Sequence, residues 1–218
     1  MEILKIDAAN PDVATLDVAA EAVLRGGVIA FPTDTLYGLS CSLLDPSAVE
    51  MLARLKKRDP SHAVISLIPD PEQAWALAYE VPLVAEKLIQ ACWPGPLSII
   101  LPASGYVPER VRGHGATIAL RCPNDPLSMA LLARIGGPVV SSSANLSGQP
   151  PAETAEDVVR YFGNQLDLIL DGGPRRGGQP STLVDLSGTR PKLLRRGALD
   201  VDALLGDFED LSPPARHG

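Results

Sequence analysis

The side chains best suited to chemistry in this chain stand in short polar groups, each just after a run of apolar residues. Ser141, Ser142, Ser143, Asn145 and Ser147 crowd the segment after residues 138–140, and Thr33, Asp34, Thr35 and Tyr37 follow residues 28–31. Arg121 ends the run Thr117-Ile118-Ala119-Leu120, and Lys56-Lys57-Arg58 ends a helical stretch. Asp171-Gly172-Gly173, Ser181-Thr182 and Arg195-Arg196-Gly197 complete the set. Hydroxyls and amides can orient a small polar ligand through hydrogen bonds. Lys and Arg can hold its anionic groups, each charge-assisted contact contributing roughly 1.5–3 kcal/mol. An arginine that ends an apolar strand must pair or reach water, and its planar fork suits a ligand carboxylate or a structural salt bridge. The basic cluster 56–58 fits a phosphate clamp, but it also fits a helix C-terminus, where the macrodipole favours positive charge. Taken singly, each polar group is also compatible with a solvated turn.

Several familiar sites are absent. The chain has no GxxxxGK[ST] loop, no GxGxxG and no GxSxG, so phosphate-loop, dinucleotide and nucleophile-elbow chemistry lack their signatures. His62, His114 and His217 stand in no triad or zinc spacing. Cys41, Cys92 and Cys122 form no CxxC pair and are expected to be small core residues of a reduced cytosolic protein. There is no basic leader followed by an apolar stretch, and no apolar run approaches the ~18 residues of a membrane span, so a cytoplasmic protein without a membrane partner is expected. The net charge of −7 argues against a non-specific nucleic-acid binder, which relies on many Lys/Arg–phosphate contacts.

The elements that must position these groups can be read from apolar runs and start signals. Runs of strand length occur at 28–31, 64–68, 97–101, 117–120, 138–140, 166–170 and 182–186, several of them continuous and β-branched, as suits buried strands. Asn10-Pro11, Asp45-Pro46, Asp70-Pro71 and Asp125-Pro126 each place a capping residue before proline at a helix start, and Thr154 can cap a further helix. Helices and strands interleave without a linker or repeat. The expected fold is therefore α/β, a single domain over residues 1–206 around a twisted mixed sheet with flanking helices, followed by a loose tail at 207–218.

In their order along the chain, PTDTLYGL, KKR, WPGPL, an arginine after TIAL, SSSANLSG, DGG, ST and RRG closely resemble the YrdC family, and within it the single-domain L-threonylcarbamoyladenylate synthases. The resemblance covers residues 26–197. It implies a large concave pocket and a reaction of ATP, L-threonine and bicarbonate, with the product handed to partner proteins that modify an adenosine next to the tRNA anticodon. Direct tRNA binding by this chain is expected to be weak or absent. By the same resemblance, Thr35, Arg121, Ser141 and Ser181 match positions that contact threonine. Lys56, Arg58, His62, Thr117, Ser143, Asn145 and Arg195 match positions lining the nucleotide, with Lys56, Arg58 and Ser143 closest to the chemistry. Mg2+ would be held mainly by the ATP phosphates and water. Nucleotidyl transfer needs charge neutralisation and in-line placement more than a protein nucleophile, in keeping with the missing triad.

Two positions depart from the family pattern. Asp59 stands where proline is common, and Leu67 where a histidine is often seen. They keep a second possibility open, a YrdC-like paralogue using a different carbamoyl- or acyl-adenylate. A third is an RNA-binding module, disfavoured by charge and by the 4% aromatic content. If the strand geometry continues through the serines, Ser141 and Ser143 share one face and Ser142 points away.

Overall fold

The computed structural model describes residues 1–57, 64–112, 115–175 and 179–200. They form β1 (Glu2–Lys5), α1 (Val13–Leu24), β2 (Ile29–Pro32), β3 (Tyr37–Ser42), α2 (Pro46–Leu55), β4 (Ile65–Leu67), α3 (Gln73–Leu77) and α4 (Leu83–Cys92). Then follow β5 (Leu97–Pro102), α5 (Glu109–Arg112), β6 (Thr117–Arg121), α6 (Pro126–Ile135), β7 (Val139–Ser143), α7 (Ala155–Phe162), β8 (Leu168–Asp171), β9 (Thr182–Asp185) and β10 (Lys192–Arg195). The strands make one mixed sheet in the order β1-β8-β2-β3-β7-β4-β6-β5-β9-β10. The expected domain end near 206 and the tail at 207–218 lie outside the described residues.

Helix starts follow the capping chemistry in part. Asp45 and Asp125 cap α2 and α6 ahead of proline, and Thr154 and Asp157 form a reciprocal capping box on α7. α1 differs from expectation: its cap is Asp12, whose carboxylate accepts from Thr15 N at 2.9 Å, not Asn10. α3 starts at Gln73 after Glu72, while the Asp70 carboxylate accepts from Glu72 N and the Asp70 carbonyl from Gln73 N.

All seven expected strands are present, with ends shifted by a residue or more. β1, β3 and β10 were not expected. β1 and β10 are outer strands that leave much of their surface exposed and so lack a buried run. β3 was hidden by its own alternation: Tyr37, Leu39 and Cys41 are apolar, whereas Gly38, Ser40 and Ser42 are small or polar. β7 also runs on through Ser143 and does not stop at Val140.

The alternation has a consequence for the site. On one side of the sheet, Tyr37, Leu39, Ile99, Leu101, Ile118, Leu120, Val140 and Val184 pack in a cluster with residues of α2, α4 and α7. On the other side, α1 and α6 cover β2, β8, Leu67 and Val139 in a second cluster. Among the described residues, that second cluster takes nothing from β5, β6 or β9. That part of the sheet is left to face an open cavity. Among the described residues, no helix is long and apolar enough to cross a membrane.

Candidate active site

The uncovered sheet face carries a cavity of about 560 Å3, with Thr35, Arg121, Ser141, Ser143, Ser181 and Arg195 in its lining. Strand periodicity explains the convergence, because Arg121, Ser141, Ser143 and Gly38 lie on the face opposite the packed cluster. Gly38 keeps the floor low: a Cβ there would stand 3.5 Å from Ser141 Oγ and 3.6 Å from the Ser142 carbonyl oxygen.

Arg121 is the fixed cation of the cavity. It is 7% exposed. Its Nε donates to the Gly95 carbonyl at 3.0 Å, and its Nη2 donates to the Asp34 carboxylate at 2.6 Å. Gly95 belongs to the WPGPL segment, and a Cβ there would fall 2.2 Å from the Cys92 carbonyl oxygen, so only glycine fits. Trp93 Nε1 donates to Leu97 O at 2.7 Å and closes the same turn. The segment's part in the site is thus to hold one carbonyl against the arginine.

A second arginine faces the cavity from β10. Arg195 Nε donates to Ser181 O and its Nη2 to Ser181 Oγ, both at 3.0 Å, and Ser181 Oγ also shares a hydrogen bond with Ser98 Oγ at 2.8 Å. Burial holds the Arg195 guanidinium below its usual range, and the like charge of Arg121 adds to the effect. Gly197 makes the docking possible, since a Cβ there would meet Pro180 O at 2.1 Å. Thr182, beside Ser181, turns away from the ligand role and accepts from Gly197 N and Leu199 N.

At the rim, Lys56 ends α2 and is 4% exposed. Its Nζ donates to the Ser143 carbonyl oxygen, to Asn145 Oδ1 at 3.3 Å and to Ser143 Oγ at 3.4 Å. Ser143 Oγ donates to Asn145 Oδ1 at 2.6 Å, while Asn145 Nδ2 donates to Leu146 O and Gln149 O. The polar segment is therefore an ordered hydrogen-bonded unit, not a solvated turn.

The expected residues separate into groups. Thr35, Arg121, Ser141, Ser143, Ser181 and Arg195 line the cavity. Lys56 and Asn145 do not; they reach it through Ser143. Thr117 is likewise not in the lining, because it starts β6, four residues from Arg121 on the same face, or about 13 Å along the strand. Arg58 and His62 lie outside the described residues, as does Asp59. Ser142 pairs with Leu39 of the packed side, in line with the expectation that it points away, yet it is also part of the lining, and a Cβ at Gly38 would stand 3.6 Å from its carbonyl oxygen.

Tyr37 also turns out differently from a ligand contact: its hydroxyl donates to Gly173 O at 2.9 Å and pins the DGG segment. Burial, then the nearby Asp171 carboxylate, pushes its phenol far up. Residues not among the expected ligand contacts also join the site. Asp34 sits on Arg121, Gly95 anchors it, and Leu67 and Asp125 line the cavity. Asp125 caps α6 through Oδ1, whereas its Oδ2 is buried without a hydrogen bond, and burial raises its carboxyl above the ordinary range. Its only sequence signal was the Asp-Pro helix start, which hid the second oxygen's position.

Residues 21–197 match the Sua5/YciO/YrdC family, described as "Telomere recombination". The chain belongs to that family. It is 37% identical over 88% of its length to a threonylcarbamoyl-AMP synthase of Pyrococcus abyssi, of which it covers 57%. A protein of the same name from Cellvibrio japonicus is 36% identical over 81% of this chain and is covered to 92%. The fold superimposes with a TM-score of 0.88 on P. abyssi Sua5 complexed with L-threonine, at 35% identity, covering 94% of this chain and 60% of that one. E. coli YciO gives a TM-score of 0.84 at 32% identity, covering 93% of this chain and 98% of that one. The chain thus spans little more than half of the P. abyssi relatives and nearly all of the bacterial ones. Within this Sua5/YciO/YrdC chain the motifs divide by task. PTDT, SSS and the arginines after TIAL and before RG face the cavity, whereas WPG, DGG and the RRG glycine hold those groups in place.

Proposed function

We propose that this chain forms L-threonylcarbamoyladenylate and pyrophosphate from L-threonine, bicarbonate or CO2, and ATP, supplying the N6-threonylcarbamoyl group of tRNA adenosine next to the anticodon. The observation that carries the proposal is a buried, doubly anchored Arg121 on the floor of a polar cavity, in a chain 35% identical to a Sua5 complexed with L-threonine.

In this reaction the threonine ammonium loses a proton, and the free amine adds to CO2 and releases a second proton to give a carbamate. A carbamate oxygen attacks the α-phosphorus of ATP, and pyrophosphate leaves with the bonding electrons. Arg121 takes the threonine carboxylate, and Thr35, Ser141 and Ser181 offer hydroxyls to its remaining polar groups. Ser143 and Arg195 face the phosphates, where positive charge and hydrogen-bond donors favour the in-line transition state. Lys56 orders Ser143 and Asn145 and adds its charge at the rim. Arg58, His62 and Thr117 keep the nucleotide roles that the family resemblance implies for them. Mg2+ enters with ATP as part of the substrate. The carbamate and the mixed anhydride are both water-sensitive, so the reaction gains from exclusion of water at the site. Cys41 and Cys122 are buried free thiols, burial pushing the first up to about 12 and the second to about 11, so they take no part as nucleophiles. The proposed setting is the cytoplasm, with the product passed to threonylcarbamoyl-transfer proteins.

One observation favours a second reading. Leu67 lines the cavity directly opposite Arg121 in the β4–β6 register, an apolar wall beside the carboxylate site, and the chain also covers almost all of YciO. A paralogue with another acyl or carbamoyl substrate would keep the nucleotide side. Incubation with ATP, Mg2+, bicarbonate and labelled threonine separates the two: pyrophosphate together with labelled threonylcarbamoyl adenylate is expected. ATP binding without that product favours the paralogue.

A further inference from the structure

We propose that Asp34 makes the cavity select α-amino acids over plain carboxylic acids of the same shape. It occupies Arg121 until a ligand brings both a carboxylate for the arginine and an ammonium for the displaced aspartate. The inference rests on the amino-acid site proposed above.

The two partners of this ion pair are held very differently. Arg121 has little freedom: its side chain is 9% exposed, and its Nε is tied to a carbonyl whose own residue can only be glycine. Asp34 sits in the turn that Thr33 closes onto Leu36, and its side chain is 24% exposed. Asp12, Asp45 and Asp125 all cap helices, but Asp34 caps nothing. Among the described residues, its carboxylate is recorded on Arg121 and nowhere else. The aspartate can leave at the cost of one pair, whereas the arginine cannot follow it.

An incoming carboxylate therefore competes with Asp34 for the same guanidinium. If the ligand carries only that carboxylate, two negative groups crowd one arginine, or Asp34 is turned out without a partner. Asp125, another carboxylate in the same lining with an oxygen buried and unpaired, offers no relief. If the ligand is an α-amino acid, its ammonium lies one carbon from the carboxylate, beside the place Asp34 has just left. At the binding stage, before the amine gives up its proton for carbamate formation, the pair exchanges partners, Arg121 taking the carboxylate and Asp34 the ammonium, with no charge left alone. Discrimination arises from the unpaired charge imposed on the wrong ligand, which rejects an analogue more strongly than a lost apolar contact would.

Calorimetric titration of the full chain with L-threonine and with 3-hydroxybutyrate, the same skeleton without the amine, tests this. The parent protein is expected to favour threonine by at least tenfold. Asp34→Asn is expected to shrink that ratio at least fivefold, mainly through tighter 3-hydroxybutyrate binding, and Asp34→Glu to restore part of it. A ratio unchanged within twofold overturns the inference. So does an equal loss for both ligands, which would mean that Asp34 only steadies Arg121. If the parent binds no threonine, the substrate reading fails by itself. Alanine against propionate and valine against isovalerate then carry the same comparison, and no narrowing by Asp34→Asn in either pair sinks the selectivity role.

Discussion

The two faces of the central sheet are made from the same strands, one residue out of step. On the packed face Ile99, Leu120, Val140 and Val184 are all 0% exposed within one apolar cluster. On the opposite face their neighbours Arg121, Ser141 and Leu183 line the cavity with a guanidinium, a hydroxyl and an apolar step, and fully buried Ser98 reaches it through Ser181. Over β5, β6 and β9, folding free energy is gathered on the first face, where each large side chain removed from water contributes roughly 1.5–3 kcal/mol, while α1 and α6 bury the β2, β8, Leu67 and Val139 part of the second. The second face leaves its polar groups to converge on a ligand. Such a division means that stability and binding can be damaged separately.

The strongest test of that separation is on the packed face. Ile99→Ala is expected to destabilise the fold by about 3 kcal/mol, read from urea unfolding, while threonine affinity of the folded fraction changes less than twofold. Affinity falling in step with stability would break the division. Slightly smaller in energy, Arg121→Ala should lower kcat/KM for threonine about 100-fold, or ~2.7 kcal/mol, with ATP affinity changed less than about threefold. Equal losses for both substrates would remove its assignment to the carboxylate.

Along β7 the contrast narrows to adjacent residues. Ser143→Ala should cost about tenfold in turnover, because its hydroxyl faces the cavity and bonds Asn145. Ser142→Ala should cost less than twofold if its backbone, not its hydroxyl, meets the ligand. Comparable losses would show that the strand's two sides both serve the site.

The smallest expected effect concerns pH. Burial holds the Asp125 carboxyl above its ordinary 3.8. The folded state therefore keeps that proton more tightly than the unfolded chain does. Stability drops as pH rises from 3.8 through the raised folded value, and below 3.8 there is no penalty. Asparagine retains an oxygen for the Ser128 cap, so Asp125→Asn should melt slightly higher than the parent at pH 7. The difference should vanish near pH 3 in a series of melting curves.

Much of the fold was legible because it rests on local chemistry. Continuous apolar runs marked the inner strands, and Asp-Pro pairs at 45 and 125 marked two helix starts. β3 escaped because Gly38 and Ser40 break its apolar run, although its alternation through Tyr37, Leu39 and Cys41 was present to be read. β1 and β10 escaped because outer strands need no buried run. Among site residues, Arg121 and the serines were visible as polar side chains at strand ends. Gly95 was not legible as an anchor, since its contribution is a carbonyl aimed at an arginine 26 residues away.

The sequence by itself determined the alternation of each strand, the family motifs and their order, and so the set of side chains available to a ligand. Tertiary structure decided which of them meet. Ser181 and Arg195 join Arg121 only because β9 pairs with β5 and Gly197 lets the chain fold back against Ser181. Asp34 lies on Arg121 across 87 residues. The physical reason is that periodicity is a property of neighbours along the chain, whereas a carboxylate finds its guanidinium through strand pairing that no local pattern encodes.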